Sequence, residues 1–130
     1  MSFGSMTGGP AFLRGSLLRQ SIAEGSANFL AELLTGTPVR NPFGEAHEGE
    51  LWLAFQREAY GTDYRRWLYN GRDSVARGHW PPDLGYWIGY RISKSYYENA
   101  RDKREAINDI LSIRNFSRFV ADSRYKPRTP

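Results

Sequence analysis

The chain has 130 residues, 40% hydrophobic and 15% aromatic, which suits one domain with its own core rather than a disordered tail. Cysteine is absent, so disulfides and thiolate chemistry are excluded. No apolar run is long enough to span a bilayer and no signal-peptide pattern is present, which makes a cytoplasmic setting the default expectation. The net charge of +4 arises from Arg101 onward, where eight basic and four acidic residues are interspersed; mixed signs read as a solvated helical surface, and no nucleic-acid partner is expected.

Residues 1–12 are a Gly, Ser and Thr leader without periodicity and are set apart from the fold. A helical domain is expected over 13–125, with a tail at 126–130. The first helix should start near 14–16 and run to about Leu34, where Thr35-Gly36-Thr37-Pro38 stops it. Leu18, Ile22, Phe29 and Leu33, joined by Leu30 and Leu34, make its apolar stripe. Around Glu24 stand Gln20, Ser21, Ala27 and Asn28, with Leu17 and Ala31 a turn further out. This face is small and only mildly polar, and a bulky group or another helix could approach it closely. Gly25 lies beside the acid, at a cost of about 1 kcal/mol relative to Ala within a helix.

A second helix is expected over about 45–59, with Leu51, Trp52 and Phe55, together with Glu48 and Ala59, facing inward. After Gly61, Thr62 or Asp63 should cap a short third helix through Leu68, and Tyr69-Asn70-Gly71 should turn the chain. Residues 72–80 read as loop. Asp83 is the expected cap of a helix to about Ala100 carrying Leu84, Ile88, Ile92 and Tyr96. Gly85 and Gly89, four apart, leave a groove on it for another helix. Asp102 opens a helix with Ala106, Ile107, Ile110 and Leu111 on one face, and Asn115 or Phe116 starts a last short one. No stretch alternates with period two, so the expectation is an all-α, irregular bundle of five or six helices.

Candidate chemistry is sparse. His47-Glu48-Gly49-Glu50-Leu51 begins like the zinc motif H-E-x-x-H, but Leu51 stands where the second imidazole belongs, so one helix cannot offer a histidine pair. His79, beside Trp80-Pro81, reads as a stacking or capping residue. No Ser-His-acid spacing and no phosphate loop is present.

Three blocks taken together carry a resemblance. They are Ser21-Ile22-Ala23-Glu24-Gly25-Ser26-Ala27-Asn28-Phe29-Leu30; then His47-Glu48-Gly49-Glu50-Leu51-Trp52 with Trp67-Leu68-Tyr69-Asn70-Gly71; then 82–92 (PDLGYWIGYRI) with Ser95-Tyr96-Tyr97 and Asp102-Lys103. Their order resembles the C-terminal part of a family of predicted zinc-dependent proteases, a domain of unknown function with a gluzincin-like plan, over roughly residues 17–125. The resemblance implies that Glu24 occupies the third zinc-ligand position. Asn28 stands where family members often carry an acid that orients a zinc-bound histidine, and Tyr86 or Tyr90 could steady an oxyanion. The family's H-E-x-x-H helix has no counterpart here, since no histidine precedes Leu17. Zinc belongs to a complete family member, and this chain alone is expected neither to hold it nor to cleave peptides. The chain reads as a C-terminal fragment, the product of a misplaced start, or a shortened paralogue. The alternative is a non-catalytic helical module that takes a peptide, a protein or a second copy of itself on the Glu24 face.

Overall fold

The computed structural model describes residues 15–129, and among these every regular element is helical; the chain is all-α. The seven helices are α1 (Leu17–Thr35), α2 (Pro42–Ala46), α3 (Glu48–Glu58), α4 (Ser74–Arg77), α5 (Leu84–Asn99), α6 (Lys103–Leu111) and α7 (Phe116–Ser123). The expected leader at 1–12 lies outside the described residues.

Helix α1 begins at an extended Ser16 whose hydroxyl accepts the Arg19 N–H, and ends at a left-handed Gly36 (φ 75°) whose N–H reaches the Glu32 carbonyl. The Leu17 and Leu18 N–H groups lack helical partners. They donate instead to the carbonyls of Gly61 and Ala59, both at 2.8 Å, just beyond the end of α3. The positive end of α1 thus meets the negative end of α3, and each satisfies groups the other leaves open.

The centre of the molecule is the crossing of α1 and α5. A Cβ at Gly25 would lie 2.2 Å from the Tyr90 backbone nitrogen, and one at Gly89 would lie 1.9 Å from the Ser21 carbonyl oxygen. The two backbones touch, which only glycine permits on each side. Around this contact Leu17, Ile22, Phe29, Leu84, Ile88 and Ile92 are buried. The Gly85–Gly89 groove does receive a helix, and that helix is α1.

Several expectations are corrected. The face around Glu24 is divided: Leu17 and Ser21 turn into the core, while Ala23, Glu24, Ala27, Asn28 and Ala31 are exposed. Leu33, Leu34 and Leu111, placed inward by periodicity, are exposed at 38%, 88% and 67%, because no neighbouring element covers the last turns of α1 and α6. The helix expected through Leu68 is a turn, in which Trp67 and Leu68 both donate to the Tyr64 carbonyl at 2.8 Å. That turn drives Trp67 edge-on against Phe55 (5.1 Å between centroids) and, tilted, against Trp80 (4.9 Å).

The expected 45–59 helix starts earlier and is interrupted at His47 (φ −124°). Asn41 caps the Gly44 N–H, and Gly44 sits so close to the Trp87 ring that α2 docks there as a separate turn. Within the expected 72–80 loop lies α4, capped by Asp73, and Arg77 ties the loop by donating to the carbonyls of Asn70, Gly71 and Trp80. Asp83 holds the N-cap position of α5 as expected, but its side chain makes no capping bond. It is left-handed (φ 60°), and its carboxylate accepts the Tyr69 N–H at 2.9 Å. Asp102 and Asn115 cap α6 and α7 as expected. The C-terminal segment 125–129 runs across α3, where a Cβ at Gly49 would lie 2.1 Å from the Arg128 carbonyl oxygen.

Candidate functional site

Glu24 projects from the middle of α1 into solvent, and among the described residues it makes no hydrogen bond or ion pair. Beside it lies a small polar cluster drawn from three segments. Gln20 on α1 donates from Nε2 to the Tyr69 hydroxyl at 2.7 Å, and the Tyr69 ring meets the Tyr86 ring edge-on at 5.7 Å. Tyr69 is left-handed (φ 56°), held by the Asp83 carboxylate on its N–H, which swings its ring toward α1. Burial raises the Tyr86 hydroxyl well above the usual phenol range; its hydrogen bond with Tyr69 and the nearby charges of Asp83 and Glu24 add to this. Tyr86 therefore stays protonated at any ordinary pH.

Of the other residues singled out, Asn28 is exposed one turn from Glu24 and makes no hydrogen bond among the described residues. Tyr90 belongs elsewhere. It is 3% exposed and its hydroxyl donates to Glu32 Oε1 at 2.5 Å. Glu32 lies eight residues beyond Glu24, about 12 Å along the helix axis at 1.5 Å per residue. Lys94 Nζ contacts Glu32 Oε2 at 3.1 Å, and the Val39 N–H donates to Oε1 at 2.8 Å. Burial pushes the Glu32 carboxyl upward, but the bonds from Tyr90, Val39 and Lys94 outweigh it and hold the carboxyl below its usual value. This triad fastens the 36–39 turn to α5.

Among the described residues, Glu24 has no second zinc-type donor beside it. Around Glu24 the available donors are an amide, two phenols and a second amide at Asn28, with no imidazole or thiolate. No group of three or more His, Cys, Asp or Glu among the described residues is placed to hold a metal. His47 is engaged with Glu50 (3.4 Å) and stacks on Phe43 (4.4 Å), and His79 is exposed.

The most closely knit polar group was not singled out by sequence. Glu48 opens α3, and its Oε2 accepts from Arg91 Nε at 2.9 Å and from the Tyr125 hydroxyl at 2.6 Å. Tyr125 is 8% exposed, and burial together with the Glu48 bond pushes its hydroxyl far above the phenol range. The inward placement of Glu48 on its helix was the one signal available. Comparison with family models, with curated proteins and with solved structures finds no match, so the likeness to zinc-dependent proteases rests on the three sequence blocks alone.

Proposed function

We propose that this chain is the C-terminal part of a zinc-peptidase-like fold, in which Glu24 offers a carboxylate to a metal site whose imidazole donors lie on a separate helix, and that alone it does not hydrolyse peptides. The observation that supports this reading is the exposed Glu24 carboxylate, without a partner among the described residues, on a face of Ala23, Ala27, Asn28 and Ala31 that a helix could approach closely. The test is metal analysis after zinc incubation and desalting, on the chain alone and on a fusion carrying an H-E-x-x-H helix at its N-terminus. Zinc retained at one equivalent by the fusion alone, and lost in its Glu24→Ala form, is the expected result. Equal retention with and without Glu24 would sink the reading.

A second reading, a helical module that docks another helix, is favoured by one observation. Ala27, Ala31 and the 88%-exposed Leu34 share a face of α1, extending an apolar strip from the Glu24 surface. Light scattering across a concentration series, with Leu34→Glu as the control, tests whether a second copy uses it.

A further inference from the structure

A cavity of about 390 Å³, with no lining residue from α1, opens between α3, α5 and the C-terminal segment. Its walls are polar: Glu45, Glu48, Arg91, Ser95, Arg124 and Tyr125. Lys126 and Arg128 complete the side formed by the C-terminal segment. The two carboxylates in this lining are already matched. Glu45 takes both arms of Arg40 at 2.8 Å, and Glu48 takes Arg91 and Tyr125. Arg124, Lys126 and Arg128 form no ion pair among the described residues. Three cations without an ion-pair partner among the described residues therefore border one cavity.

The segment that carries them is not a loose tail. Tyr125 is buried and bonded to Glu48, and the Arg128 carbonyl lies so close to Gly49 that any side chain there would displace it. The sequence accepts a glycine in the first turn of α3, where it weakens the helix, and this backbone contact is what it permits. The three side chains themselves are exposed and hydrated, so what marks the place is the fixed backbone that brings them to one cavity without a carboxylate left over to meet them.

We propose that this cavity binds a small molecule carrying phosphate, with Arg124, Lys126 and Arg128 as its charge partners and the Glu48–Arg91–Tyr125 group as the rigid floor. A single carboxylate would match one cation only, whereas a phosphate ester or diphosphate matches two or more, and arginine forks bind it in bidentate fashion. The volume leaves room for a small organic body beside the phosphate, and the polar walls disfavour an apolar one.

Calorimetric titration with inorganic pyrophosphate, at physiological salt, tests this. Saturable single-site binding is expected, weakened about tenfold or more in the Arg124→Gln/Arg128→Gln double variant. An Arg104→Gln/Arg114→Gln variant, with the same change in net charge at exposed positions, should bind as the parent does. Gly49→Ala should weaken binding without removing any charge, with folding checked by circular dichroism. Absence of saturable binding, or equal losses in the two arginine pairs, would overturn the site. So would binding confined to single-stranded RNA or to phosphatidylcholine vesicles containing phosphatidic acid, because a polymer or a membrane would then be the partner.

Discussion

Glu24 and Glu48 are two carboxylates of one small domain with opposite situations. Glu24 stands in mid-helix, exposed and without a hydrogen bond among the described residues. Glu48 opens its helix, where the dipole favours negative charge, and accepts two hydrogen bonds from side chains 43 and 77 residues away in sequence. The first can be removed with little disturbance because nothing leans on it. The second holds α5 and the C-terminal segment to α3. Exposure without a partner marks a group available to something outside the chain, while convergence of partners marks one that organises the chain itself.

The sharpest way to break this contrast is to break the frame that both acids share. Gly25→Val puts branched carbon against the Tyr90 backbone, which cannot yield as a flexible side chain would. A loss of about 3 kcal/mol or more is expected, read as a large fall in the urea midpoint or as failure to fold. Gly36→Ala, at the end of the same helix, has open space around it and should cost only the strain of a positive φ, about 1 kcal/mol. If the two variants lose equal stability, the close crossing of α1 and α5 is wrong.

The two glycine faces of that crossing were legible in the sequence, but not that they meet each other. Gly25 on one helix and Gly85 and Gly89 on another announce a close approach, and the Ser16, Gly36, Asp102 and Asn115 signals fix ends where the structure has them. Other features were not legible, for physical reasons. Periodicity says which way Leu33 and Leu34 point around α1, but not whether a neighbour reaches far enough to cover them. Asp83 looks like any helix cap until Tyr69 turns out to need its carboxylate. The Glu48–Arg91–Tyr125 group spans three distant segments with no local pattern. Within the candidate site, Tyr86 meets Tyr69, which Gln20 ties to α1, while Tyr90, one turn beyond Tyr86 on α5, is committed to Glu32.

The next test removes Glu48. Glu48→Ala leaves the partly buried Arg91 cation without its acceptor and the buried Tyr125 hydroxyl without a partner. A loss of about 2 kcal/mol is expected in denaturant unfolding. The loss should be accompanied by release of the C-terminal segment, seen as faster amide exchange at Tyr125. Double-mutant cycles with Tyr125→Phe should show coupling, since one carboxylate oxygen serves both partners.

A smaller effect comes from pH, and it places Glu32 on the engaged side of the contrast. Its folded-state pKa lies below the usual 4.5, so the unfolded chain binds a proton there more readily than the folded one does. The stability it contributes is complete above its unfolded value and disappears as pH falls through the lower, folded value. Thermal unfolding followed downward from pH 5 should therefore lose a component in the parent that is absent in Glu32→Gln. About 0.5 M salt would screen the exposed Arg40–Glu45 and Asp63–Arg65 pairs, whose acids sit near 2 and would otherwise contribute in the same range. If the acid-dependent part is unchanged in Glu32→Gln, the Tyr90–Glu32–Lys94 triad does not hold its charge.

The smallest expected effect is the one that decides what Glu24 is for. A carboxylate kept for structure should reveal itself when neutralised, as Glu48 does. Glu24→Gln preserves shape and removes charge, and because no described residue hydrogen-bonds or ion-pairs with this group, its unfolding free energy should match the parent within about 0.5 kcal/mol. The Tyr69–Tyr86 contact beside it should also persist, visible as unchanged near-ultraviolet circular dichroism from the tyrosines. A larger loss would mean that Glu24 braces the Gln20–Tyr69–Tyr86 cluster, and its exposed position would then reflect local support of the fold. Invariance would leave its use to a partner outside this chain, since an acid on a small-residue face that adds nothing to folding has no other work within the domain.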